Sequence, residues 1–115
     1  MSSNPYNYGY GKYPDKSPKP FSGYACKDIT VSGGAVDYSL KDNSTLFNTV
    51  TGPIQTWVRN GESDISFKFN SVDNDSIPLL ANSDWWVDGF VVTDILVTVS
   101  GVSDATMNVY TLGWR

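Results

Sequence analysis

Three carboxylates come nearest to catalytic chemistry in this chain: Asp84, Asp88 and Asp94. A carboxylate pair on either side of a sugar bond can hydrolyse it, but no spacing here singles out two of the three. The chain contains no histidine, which removes the usual general base near neutral pH and the commonest metal ligand. Ser-His and Cys-His nucleophiles are excluded with it, as are zinc sites built on Cys and His. No Gly-x-x-x-x-Gly-Lys-Ser/Thr loop is present to cradle phosphates. The single cysteine, Cys26, reads as a buried or partly buried small residue. Asp73-Asn74-Asp75 alternates oxygen side chains as Ca²⁺ loops do, but lacks the glycine and distal glutamate of an EF-hand. Its ordinary reading is a solvated turn. No cofactor and no metal are expected, and the chain reads as a binder, not an enzyme.

The aromatic residues carry more information. Trp57 sits in a segment that alternates apolar and polar residues, on its polar face. Trp85 and Trp86 are adjacent, so in a strand they point to opposite faces. One of them must therefore stand outside the core of its sheet. Tryptophan and tyrosine are enriched at interface hot spots, and exposed rings also stack on sugars. Trp85 and Trp86 are candidate sugar contacts, and Trp57 is a candidate partner contact.

Residues 1–24 form a segment of different composition. They hold Tyr6, Tyr8, Tyr10, Tyr13 and Tyr24 with Pro5, Pro14, Pro18 and Pro20. The prolines favour extended backbone, and few aliphatic side chains are available for a core. Tyr6, Tyr8 and Tyr10 alternate, which in an extended strand puts three rings on one side. An arm that docks on a neighbouring protein is expected, with Tyr6, Tyr8, Tyr10, Tyr13 and Phe21 as anchors. The plain alternative is a tail without partners. Three lysines against Asp15 give the arm a net charge of +2, which leaves −6 for the remainder of a chain whose total is −4.

The remaining residues, 25–115, have room for one domain and one core. A single cysteine permits no internal disulfide, which suits the cytosol or a particle assembled there. No run of about 18 apolar residues is present, so no membrane span is expected, nor is a signal-peptide core. The acidic balance argues against direct binding of nucleic acid. Asn60-Gly61 is a strong hairpin signal between Ile54–Arg59 and Glu62–Phe69. That turn would set Arg59 opposite Glu62, Thr56 opposite Ile65 and Ile54 opposite Phe67. A second pairing, Val99 with Ala105, Val97 with Met107 and Ile95 with Val109, would join apolar faces in the same way. Further strands are expected at Cys26–Val31, Ala35–Leu40, Leu46–Val50 and Asp84–Asp88. Pro78 limits Ile77–Leu80 to an edge. About eight short strands at regular turn spacing, with no helical period, predict an all-β, single antiparallel sandwich of jelly-roll type with an extended N-terminal arm. An immunoglobulin-like sandwich is the competing topology.

The segments Asp64–Phe69, Ser76–Leu80, Asp84–Gly89, Thr93–Gly101 and Ala105–Tyr110 together resemble small tailed-bacteriophage virion proteins. These are jelly-roll-like modules of the head-decoration, head-fibre or head–tail accessory type. The resemblance covers about residues 54–113 and rests on strand order and turns. It implies a capsid decoration (cement) protein that binds assembled head subunits on a virion made in the host cytoplasm. It implies capsid or other virion proteins as partners and a homo-oligomer such as a trimer. A head–tail connector or fibre-anchoring accessory protein and a carbohydrate-binding adhesin module are the alternatives.

Overall fold

The structure is a computed structural model and describes residues 22–114. Eight strands and two single-turn helices follow one another: β1 (Gly23–Val31), β2 (Tyr38–Ser39), α1 (Leu40–Asn43), α2 (Leu46–Thr49), β3 (Thr51–Asn60), β4 (Ile65–Phe69), β5 (Ile77–Leu79), β6 (Asp84–Asp88), β7 (Ile95–Thr98) and β8 (Ala105–Trp114). They make two four-stranded antiparallel sheets, with orders β1-β8-β3-β6 and β2-β7-β4-β5. The pairings nest. First pairs with last, second with seventh, third with sixth and fourth with fifth. The fold is a jelly roll. Gly23 and Tyr24 already belong to β1, so the body begins two residues before the expected boundary.

Both expected hairpins are absent. β3 and β4 lie in different sheets, and so do β7 and β8. The alternation itself was read correctly: Thr56, Val58, Ile65 and Phe67 are buried, whereas Trp57, Arg59, Glu62 and Asp64 are exposed. The faces meet across the sandwich instead of side by side. Each strand offers one apolar face, and a strand of the opposite sheet covers it as well as a neighbour would extend it.

Asn60-Gly61 serves as a corner between the sheets. A type I′ turn needs positive φ at both residues, but among the described residues positive φ occurs only at Gly34, Asp37, Asn70, Asn82 and Gly89. The Asn60 Nδ2 group donates to the carbonyls of Ser63 (2.7 Å), Leu80 (3.1 Å) and Leu79 (3.2 Å). Its backbone N–H donates to the Ser83 carbonyl. It thereby ties the β3–β4 crossing to the β5–β6 crossing. Gly61 is required for space: a Cβ there would stand 2.6 Å from the Thr106 carbonyl oxygen.

Smaller corrections concern the segment between β2 and β3. The expected strand 35–40 shrinks to Tyr38–Ser39, with Val36 exposed and Leu40 buried. Leu46–Val50, expected as a strand, begins with the helical turn α2, which lays Leu46 into the core. Ser39 caps α1, its Oγ accepting from the Asp42 N–H. β5 is an edge strand, as Pro78 requires. The core is aliphatic with one aromatic corner: Val31, Leu40, Leu46, Val58, Ile95, Val97 and Val109 are fully buried with Phe67.

If residues 60–61 formed a hairpin turn, Asn60→Gly would leave stability unchanged. The corner predicts that Asn60→Gly and Asn60→Ala each cost about 1–3 kcal/mol, because three carbonyls lose their donor. Urea unfolding of the full chain measures the difference.

Candidate functional site

Register places an aromatic row on the outer face of the β1-β8-β3-β6 sheet. Cys26 pairs with Tyr110, Tyr110 with Trp57, and Trp57 with Trp86. Four side chains on four strands therefore stand in one line, with neighbouring strands about 4.8 Å apart. The next row toward the Gly23 end holds Tyr24, Leu112, Gln55 and Asp88. The row on the other side holds Asp28, Asn108, Arg59 and Asp84. Tyr24 is 71% exposed, Trp86 64% and Trp57 42%. Gln55, Trp57, Asp84, Trp86, Tyr110 and Leu112 line a shallow depression of about 360 Å³ on this face.

Local contacts hold the middle of the row in place. The Trp57 Nε1–H donates to Asp84 Oδ2 at 2.9 Å. The Trp57 and Tyr110 rings lie 5.5 Å apart at a tilt of 40°, and the Arg59 guanidinium sits 5.8 Å from the centre of the Trp57 ring. A hydrogen bond, a ring contact and a cation–π contact fix Trp57, whereas Trp86 presents its ring to solvent. The face is apolar at its centre and charged along its margins, with Asp28, Asp84 and Asp88 against Arg59.

The sequence-based candidates divide on this face. Trp57 and Trp86 come together. Trp85 does not join them: it turns inward and packs on Phe67 and Phe69 at centroid distances of 5.5 and 5.2 Å. The alternation of adjacent residues in β6 requires that separation, so a sugar platform made of Trp85 and Trp86 together is ruled out. Tyr6, Tyr8, Tyr10, Tyr13 and Phe21 lie outside the described residues. Cys26, expected to be buried or partly buried, is exposed, because the β1 register puts it on the outer face. Tyr110 and Tyr24 were not assigned to a common face by sequence reasoning. Their alternation was visible, but the β1–β8–β3 pairing that aligns them was not.

The carboxylates separate as well. Asp84 and Asp88 flank Trp86 on the outer face. Asp94 instead accepts from Ser39 Oγ (2.7 Å) and from the Lys41 and Ile95 N–H groups, which fastens β7 to the start of α1. Asp73 and Asp75 lie in an exposed turn whose Asn74 donates to the Phe69 carbonyl. No group of three candidate metal ligands occurs among the described residues. No helix there is long and apolar enough to cross a membrane.

The fold is shared with solved structures of cupins. A cupin superfamily protein from Desulfitobacterium hafniense superposes with a TM-score of 0.52 at 12% identity, over 79% of this chain and 68% of its own. The cupin domain of Cnp3 from Schizosaccharomyces pombe superposes with a TM-score of 0.54 at 8% identity, over 84% of this chain. This chain spans 57% of the length of that domain's chain. At such identity the likeness concerns the fold alone. No family model matches the sequence, and no curated protein matches it.

The two neighbouring tryptophans should respond in opposite ways. Trp85→Ala is expected to cost about 3 kcal/mol through the vacated corner beside Phe67 and Phe69. Trp86→Ala should stay within about 0.5 kcal/mol of the parent. Thermal unfolding followed by circular dichroism gives both values.

Proposed function

We propose that this chain is a structural binding protein of the capsid-decoration (cement) type, which acts by docking on assembled head subunits and carries out no reaction. The observation that supports this reading is the aromatic row Tyr110–Trp57–Trp86 on the outer sheet, with Trp57 and Trp86 exposed and Tyr110 half-buried, while the apolar faces of both sheets are used on each other. An apolar centre with a charged rim is the usual plan of a protein-binding surface. The likeness of residues 54–113 to tailed-phage virion modules supplies the setting. A module that binds several shell subunits at once gains effective concentration, and it stabilises the shell because it favours the assembled state.

Cryo-electron microscopy of particles assembled with the tagged chain tests the proposal. Density for the jelly roll on the outer surface of the heads is expected, and it should be lost with Trp57→Ala combined with Trp86→Ala. Density confined to the head–tail junction would replace decoration with the connector or fibre-anchoring role. Particles without the chain anywhere would overturn the virion assignment.

One observation favours a second reading, carbohydrate binding. Gln55 and Asp84 line the same depression as Trp57 and Trp86, which puts hydrogen-bonding groups beside stacking rings. Selective glycan binding on an array, lost in Trp86→Ala and kept in a fold-neutral variant elsewhere, is the outcome that would put this reading first.

A further inference from the structure

The aromatic face has an occupant whose chemistry is written in the same chain. We infer that residues 1–21 of a second copy lie across the outer face of the β1-β8-β3-β6 sheet, joining copies arm to face. The inference rests on the proposal that this face is a docking surface, and for the chain free of heads it makes a second copy the occupant.

Three observations carry it. The first is charge. Lys12, Lys16 and Lys19 against Asp15 give the segment a net of +2, and the face opposes Asp28, Asp84 and Asp88 to Arg59. Opposite charges on the two surfaces favour their encounter and fix orientation. The second is ring content. Tyr6, Tyr8, Tyr10 and Tyr13 supply aromatic area to a face whose largest exposed groups are Tyr24, Trp57 and Trp86.

The third is where the segment begins. The described chain starts at Ser22, whose N–H donates to the Gly113 carbonyl at the end of the face next to Tyr24. Twenty-one residues reach roughly 70 Å when extended, whereas the sheet is about 14 Å across. Length therefore sets no limit. Pro18 and Pro20 favour extended backbone in Ser17 and Lys19. Extended backbone there opposes the tight reversal next to β1 that docking on its own face would require. A joint between two different surfaces is heterologous, and such joints close into rings when the rotation permits.

Complementation between two full-length variants tests the inference in the absence of any particle. One carries Trp86→Ser and keeps its arm. The other carries Tyr6→Ser, Tyr8→Ser and Tyr10→Ser and keeps its face. Sedimentation equilibrium should find the parent as a discrete oligomer and each variant alone associating about thirtyfold more weakly, as expected for loss of aromatic anchors. The equimolar mixture should form a heterodimer held by the one intact joint. Unfolding temperatures of both variants should stay within a few degrees of the parent, which separates lost association from lost folding. A monomeric parent overturns the inference, and so does association of both variants at parental strength. An oligomeric parent with a mixture that stays monomeric overturns it too. None of these outcomes decides whether the chain binds heads, which the particle images report separately.

Discussion

Everything in this molecule follows from one requirement: a short strand with one apolar face must have that face covered. Eight strands of two to ten residues cannot bury themselves as a single flat layer. The chain meets the requirement by crossing between two sheets at most of its turns, with only β4–β5 joined as neighbours in one sheet. Nested pairing follows, since strands laid down last must pair with those laid down first. The nine-residue register of β1 with β8 closes the structure and sets the phase of every outer row.

The crossings are held by side chains, and that explains the positions of several polar residues. Asn60 ties two crossings together at one end. At the other end Asn70, with φ of 70°, accepts from the Thr93 N–H and donates to the Val91 carbonyl, which anchors the approach to β7. Asp94 completes that corner. Asp94 is used by the fold in this way, apart from Asp84 and Asp88 on the outer face of β6. The sheet edges are managed too. β5 carries Pro78, β6 is flanked by Asp84 and Asp88, and Lys27 sits on the inward-facing side of β1. Such devices discourage indiscriminate edge-to-edge pairing.

Residue alternation was legible along the chain. It separated Val58 from Trp57 and Trp85 from Trp86 before any pairing was known, and Pro78 marked β5 as an edge. The pairing partners were not legible. Asn60-Gly61 carries the strongest local hairpin signal in the sequence, yet Gly61 is there because the Thr106 carbonyl approaches too closely for a Cβ. A dipeptide reports that a bend is needed, and a bend between two sheets uses the same residues as one within a sheet. The Val99–Ala105 pairing failed for the same reason, since matching apolar faces can pack through the core as readily as they can lie side by side.

By itself, then, the sequence determined the class of the fold, the inward or outward sense of most residues in β3, β4 and β8, and the lack of histidine chemistry. These are local matters, settled by the two-residue period of a strand and by composition. Only the tertiary structure decided that Tyr110, Trp57 and Trp86 stand in one row while Trp85 closes the core beneath them. That alignment depends on the register of strands far apart in the chain. Register is chosen by the summed burial of both sheets, a quantity that no single segment contains.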